Sequence, residues 1–302
     1  MTDVRPSLAG EGTHAPVDTD EEVALGRLPV ALKRRLRRLM PRRVSPHRIW
    51  SGPLRGRRLV TSWHDYPAAI LGYTERSLVR WLQANVQPGE TWIDVGAHYG
   101  YTALALSGLV GPRGRVFAFE PVLTTAGHLS TTRTLNDLRQ LTVVPLGLGT
   151  RGGIHPVDVP LVRGMADHVA DGRAVTMDRV LAVAFDEVWP GIAQGERRIH
   201  GVKIDVQGME IDVLTGMRDA LRSSRPVLVV EIHHGVDRTV LVQLLSDLGY
   251  GRRPDAPEAP DGSHGSNYLD DRSYCFLPSS PGAVSVRAPV NEPSAPGPWA
   301  TQ

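Results

Sequence analysis

The sequence predicts an α/β fold built on a doubly wound, mostly parallel sheet. Two observations carry that prediction. From Trp92 to Leu248, short apolar runs alternate with segments whose apolar residues fall at helical spacing, the order expected of strands joined by crossover helices. Several runs, such as Val227-Leu228-Val229-Val230, have no polar face, as in strands covered on both sides. The length of 302 residues suffices for a sizeable core, and 31 Gly with 24 Pro lie below the share that marks low-complexity chains.

Taken in order, residues 1–22 are polar, acidic and Pro/Gly/Thr-rich and are expected to be disordered. Leu32, Leu36, Leu39 and Met40 give a basic amphipathic helix from Pro29 to Met40, opened by one proline and ended by Pro41. Ile49 to Trp63 reads as short strands or loops, and Ser77 to Val86 as a helix closed by Pro88-Gly89. Trp92 to Val95 is a buried strand, Tyr101 to Val110 a helix stopped by Gly111-Pro112, and Arg115 to Phe119 a second strand leading to a helix that ends near Leu138. Leu141 to Leu146 is a third strand. After a less regular stretch come Val202 to Val206 and Val227 to Ile232, with a helix from Met209 to Leu221 between them. Asp237 caps a further helix ended by Gly249, and Ser273 to Leu277 adds an edge strand before a Pro-rich tail. The implied divisions are 1–22 disordered, 23–87 an N-terminal basic helix and cap region, 88–277 the catalytic domain, and 278–302 a disordered tail.

Composition narrows the class. A lone Cys275 cannot form an internal disulfide, no apolar run is long enough to span a bilayer, and Ala9 to Glu22 is too polar for a secretory core. A cytoplasmic protein without a membrane span is expected. The net charge of +2 is an average: Lys33 to Arg58 holds eleven cations and no acid, leaving 23 cations against 32 acids elsewhere. That arm raises a nucleic-acid or anionic-surface reading.

The strand ending at Asp94 runs into Val95-Gly96-Ala97-His98-Tyr99-Gly100 and then directly into a helix. In a parallel sheet this turn, beyond the carboxyl end of a strand, is where a nucleotide-like cofactor binds. Glu120, at the tip of the next strand, is placed to accept hydrogen bonds from a ribose diol, as in dinucleotide folds. A pyrophosphate calls for G-x-G-x-x-G, yet the second and third glycine positions hold His98 and Tyr101. Asp94 beside the loop disfavours a phosphate and favours a cation, which points to S-adenosyl-L-methionine.

The chain also resembles the FkbM family of S-adenosylmethionine-dependent methyltransferases. The resemblance rests on Gly72-Tyr73-Thr74-Glu75, Pro88 through Gly100, Phe119-Glu120-Pro121, Val175-Thr176-Met177-Asp178, Val202 through Glu210 followed by Val213-Leu214-Thr215-Gly216, and Leu228 through His233. The resemblance spans about residues 50–277, and its six blocks stand in the family's order. The resemblance implies a Rossmann-like class I methyltransferase carrying an N-terminal basic extension, and O-methylation of a hydroxyl on a secondary metabolite or sugar. It implies cofactor contacts at Asp94, Gly96, His98, Tyr99, Gly100, Glu120, Pro121 and Asp205. The sequence departs from the family at Gln207, where Glu is usual, and at His98, where Asn is common.

Asp205 ends the fourth strand, and alternation puts Glu231 and His233 on one face of the fifth, with His234 past its end. A histidine titrates near neutrality and suits the removal of a hydroxyl proton, so His233, then His234, are the candidate general bases, with Asp205 beside them. Asp205, Glu231 and His233 can converge, but no tight spacing such as H-x-x-x-H accompanies them, and no metal is expected. Glu75, Gln207, His264 and Asn267 are candidate substrate contacts; capping of the Ser77 helix is the more economical account of Glu75, and a helix N-cap that of Asp178. Residues 252–271 form a long loop suited to substrate binding. The expected partner is a small-molecule acceptor. An RNA-modifying or nucleic-acid-binding protein using the basic arm is the alternative, although no RNA-binding signature accompanies it; a nicotinamide-dependent oxidoreductase is the other enzyme option. The sequence carries no reading of oligomeric state.

Overall fold

The computed structural model describes residues 39–150, 152–162, 165–166, 176–193, 195, 198–251 and 272–279. Strands β1 (Ser45–Arg48) and β2 (Arg58–Thr61) pair antiparallel, and helices α1 (Pro67–Leu71) and α2 (Arg76–Asn85) follow. The central region then alternates: β3 (Thr91–Val95), α3 (Tyr101–Val110), β4 (Arg115–Phe119), α4 (Leu123–Leu135) and β5 (Leu141–Val144). Next come the short strands β6 (Gly147–Leu148), β7 (His155–Val162), β8 (Met165–Ala166) and β9 (Thr176–Val183), then α5 (Phe185–Ile192). The chain returns through β10 (Gly201–Ile204), α6 (Glu210–Gly216), α7 (Arg218–Ser224), β11 (Val227–Ile232), α8 (Arg238–Asp247) and β12 (Arg272–Phe276).

The main sheet has the order β12-β11-β10-β3-β4-β5, parallel throughout except for β12, which joins the edge antiparallel. Alternation along each strand sends side chains to two separate cores. Ile93, Val95, Phe117, Phe119, Val202, Ile204, Leu228 and Val230 pack with residues of α5, α6, α7 and α8 on one face. Trp92, Val116, Ala118, Val227, Val229 and Cys275 pack with α2, α3 and Leu129 of α4 on the other. This double burial is why the strands read as unbroken apolar runs. Reversal of strand order occurs between β3 and β10, so the carboxyl ends of these two neighbours open a crevice.

Three local expectations are corrected. Met209 to Leu221 is two helices rather than one, because Met217 leaves helical geometry (φ −107°, ψ 8°) with its side chain fully buried. The stretch after Leu146 holds a second sheet, ordered β6-β9-β7-β8. Asp178 sits inside β9, opposite Val159 of β7, and not at a helix N-cap; the helix begins only at Phe185. Most of the Pro29–Met40 helix, residues 1–22 and 280–302 of the expected disordered ends, and the 252–271 loop with His264 and Asn267 lie outside the described residues; Pro278, at the start of the expected tail, forms an antiparallel bridge with Tyr250. Among the described residues, no helix is long and apolar enough to cross a membrane.

Candidate active site

A pocket opens at the carboxyl ends of β3, β4 and β10. Its floor is the loop Gly96-Ala97-His98. One side is Glu120-Pro121 after β4, the other Asp205-Val206-Gln207 after β10. Glu75 and Thr102, from the starts of α2 and α3, close it with Tyr66, and Gly147, Leu148, Val180 and Ala182 make an apolar wall from the second sheet. Five non-glycine residues among those described have positive φ, and three of them, Glu75, His98 and Gln207, line this pocket. Strained backbone concentrates where a fold holds functional groups in place.

The loop is fixed by its own backbone. Gly96 and Ala97 donate to the Phe119 carbonyl, both at 3.0 Å. Gly96 has φ +78°, and a Cβ there would overlap the Asp205 carbonyl oxygen; no other residue fits the turn. Gly100 (φ +92°) lets α3 start against Leu129 of α4. His98 N–H donates to Glu120 Oε2 at 2.8 Å, and Val122 N–H to Glu120 Oε1 at 2.9 Å. Burial pushes the Glu120 carboxyl up to about 7 despite these two bonds. The His98 ring lines the pocket, is held neutral by burial with its pKa lowered to about 4, and has an Nε2 without a hydrogen-bond partner.

The other expected cofactor residues divide between the pocket and its support. Pro121 lines it. Tyr99 does not: its ring turns behind the loop, and its hydroxyl donates to Asp65 Oδ2 at 3.2 Å. Asp94 lies fully buried beneath the loop, with neither carboxylate oxygen hydrogen-bonded. The register that sets Asp94 beside Lys203 brings Lys203 Nζ to 3.8 Å from Asp94 Oδ1 and 3.0 Å from Asp205 Oδ2. Burial raises the Asp94 pKa to about 6, against the pull of Lys203. Burial opposes the charge on Lys203 as well, but Asp205, Asp94 and Glu75 outweigh it and hold the ammonium charged. Asp205 is also desolvated, yet Lys203 and His233 keep its carboxylate ionised.

Glu75 is not a helix cap. It occupies the N-cap position of α2 with φ 47° and makes no side-chain capping bond. Its carboxylate instead accepts from Tyr66 Oη at 2.9 Å and Thr102 Oγ1 at 2.6 Å, at the wall of the pocket. Desolvation raises its pKa.

The histidines fall differently from expectation. His233 Nδ1 lies 2.6 Å from Oε1 of the buried Glu210, and its Nε2 lies 3.5 Å from both Asp205 Oδ1 and Glu231 Oε1. Burial works against a charge on the ring, but the Glu210 bond and the charges of Glu231 and Asp205 carry its pKa up to about 9. A raised pKa makes His233 a poor acceptor for a substrate proton near neutral pH, and it stands outside the pocket lining. His234 is exposed beyond the strand end and also outside the lining. Gln207 does line the pocket, with its amide 2.8 Å from His233 Nε2. Sequence reasoning passed over Lys203, Glu210, Tyr66 and Thr102. A cation in the middle of an apolar strand, as at Lys203, was the one signal available, because such a charge needs a buried partner.

The sequence matches known methyltransferases. The sequence pattern described as "Methyltransferase FkbM domain" matches residues 94–251. The hexuronic acid methyltransferase AglP of Haloferax volcanii is 32% identical over 177 residues, covering 57% of this chain and 68% of that protein. The methyltransferase sdnD of Sordaria araneosa is 29% identical over 209 residues, covering 59% of this chain and 80% of that protein. Among solved structures, the methyltransferase FkbM of Methylobacillus flagellatus KT superposes with a TM-score of 0.42 at 19% identity, over 62% of this chain and 43% of that one. Since the matched pattern covers more than half the chain and includes the β3 loop, Glu120 and the β10 and β11 ends, the protein belongs to the FkbM methyltransferase family.

Proposed function

We propose that the protein transfers a methyl group from S-adenosyl-L-methionine to a hydroxyl oxygen of a small molecule. The observation that carries this reading is the charge of the pocket: Glu75, Glu120 and Asp205 line it, Asp94 lies buried beneath its loop, and Lys203 is the buried lysine among them. Such a site attracts a cation and repels a phosphate. The residues fit the cofactor on two counts. His98 lines the pocket and has a buried Nε2 without a partner, and Glu120 offers carboxylate oxygens at the tip of β4. Glu120 would hold the ribose, the Gly96-Ala97-His98 backbone the adenosyl side, and Glu75 with Asp205 the cationic end. When bound, S-adenosylmethionine supplies an electrophilic methyl carbon on a sulfonium.

The chain's own task is to bring an acceptor oxygen to that carbon and remove its proton. Asp205 is the ionised group at the pocket wall: Oδ2 is held by Lys203, and Oδ1, 3.5 Å from His233 Nε2, is the oxygen that would take the proton of the acceptor hydroxyl. His233 helps to keep Asp205 charged. The name of the Haloferax volcanii relative makes hexuronic acids and their glycosides the first acceptors to test.

The reading is tested by following methyl transfer from S-adenosylmethionine to a panel of glucuronic and galacturonic acid glycosides by mass spectrometry. Asp205→Asn is expected to lower kcat about 100-fold or more, and to weaken S-adenosylhomocysteine binding by no more than about tenfold, the share of the lost charge at the cofactor's cationic end. Wild-type turnover in that variant would remove Asp205 from the chemistry. Products formed on amines or RNA, and on no hydroxyl, would overturn the reaction class.

A further inference from the structure

The ends of β10 and β11 gather a second set of groups beside the pocket, of which Glu231 has no part in the reaction above. Asp205, Glu231 and His233 each present one ligand atom, and the three atoms lie within 4.8 Å of one another. His233 Nε2 is 3.5 Å from Asp205 Oδ1 and 3.5 Å from Glu231 Oε1. Donors bound about 2.1 Å from a tetrahedral ion sit about 3.4 Å apart, so the two spacings to His233 Nε2 suit a shared ion.

The surroundings strengthen this. The other ring nitrogen, Nδ1, is engaged by Glu210 Oε1, a fully buried carboxylate that also accepts from Gly208 N–H at 3.1 Å. A carboxylate on one nitrogen is the usual support of a metal-bound imidazole, because it sets the ring orientation and leaves the second nitrogen for the ion. Lys203 holds Asp205 Oδ2 and leaves Oδ1 toward the cluster. The Gln207 amide reaches the same nitrogen at 2.8 Å, and rotation of that amide offers its oxygen as a fourth donor.

We propose that Asp205, Glu231 and His233 form a site for a divalent cation, with Glu210 as its positioning residue. One imidazole nitrogen with two carboxylate oxygens suits Mn2+ or Zn2+ and is too few and too nitrogenous for Ca2+. Asp205 and Gln207 also line the pocket, so an ion here would meet an acceptor oxygen at the pocket's edge and act on it as a Lewis acid. The ion would take Nε2 in place of its proton, and in the loaded chain it would activate the acceptor hydroxyl where Oδ1 does so in its absence; its binding, read with neither cofactor nor acceptor, stands or falls separately from the methyl-transfer reading.

The test uses the full chain stripped with a chelator, titrated with Mn2+ by electron paramagnetic resonance and with Zn2+ by calorimetry, with no cofactor present. One ion per chain is expected. Glu231→Gln and His233→Gln should each weaken binding at least tenfold, and Glu210→Gln by about 10- to 100-fold. Glu231 is partly exposed, so Glu231→Gln carries the test if a variant of the buried His233 fails to fold. Absence of a stoichiometric ion in the wild-type chain, or equal affinity in wild type and a folded Glu231→Gln, would overturn the proposal and leave the cluster as an ion-pair network.

Discussion

Glu120 shows how one residue couples pH to ligand binding. Its folded pKa of about 7 stands above the ordinary 4.5 because it is buried. Without ligand, the folded chain keeps a proton that the unfolded chain releases between those values, so this group makes stability fall as pH rises from about 4.5 to about 7. The stability difference between wild type and Glu120→Gln should therefore shift toward the variant by up to about 3 kcal/mol across that interval, measured by urea unfolding at several pH values. S-adenosylhomocysteine binding should run the other way in wild type, tightening as pH climbs through about 7, and Glu120→Gln should be flat over that range and weaker by about tenfold. A variant with wild-type pH dependence would show that Glu120 does not contact the ligand. Glu120 was legible because its place at a strand tip is local. Glu75 was not: its partner Thr102 lies in another helix, and a lone acid ahead of a helix looks like a cap in one dimension. His98 adopts φ 50°, a conformation that Asn, Asp and His tolerate better than most residues, which accounts physically for a histidine where the family commonly carries Asn.

Among elements, the strands of the main sheet were readable because both faces of each are buried and composition alone marks them. Helix α8 was readable for a different reason, its cap. Asp237 Oδ1 accepts from Thr239 N–H at 2.9 Å and Val240 N–H at 3.1 Å, as its position ahead of an apolar-periodic run implied. Asp237→Ala should cost about 1 kcal/mol in denaturant unfolding and leave ligand affinity unchanged, since α8 packs on the sheet face formed by Leu228 and Val230, away from the pocket lining. A loss of binding at full stability would place α8 in the site. The second sheet was not readable. Strands β6 and β8 are two residues each, too short for a periodic signal, and β7 contains two prolines that read as breaks. Yet this sheet supplies Val180 and Ala182 to the pocket, so part of the ligand's apolar wall lay in the segment that looked least regular.

At the scale of the whole molecule, near-neutral net charge conceals an acidic body and a basic arm. The three carboxylates that line the pocket, Glu75, Glu120 and Asp205, and Asp94 beneath its loop belong to the acidic body, and the reading of a cationic cofactor rests on them together with the loop that lacks a pyrophosphate's glycines. The family, the parallel sheet and the pocket at its carboxyl edge agree on methyl transfer. Calorimetric titration of the full chain with S-adenosylhomocysteine and, separately, with NAD tests that claim most directly. One saturable site for S-adenosylhomocysteine and none for NAD is the predicted result; saturable binding of NAD with none of S-adenosylhomocysteine would contradict it.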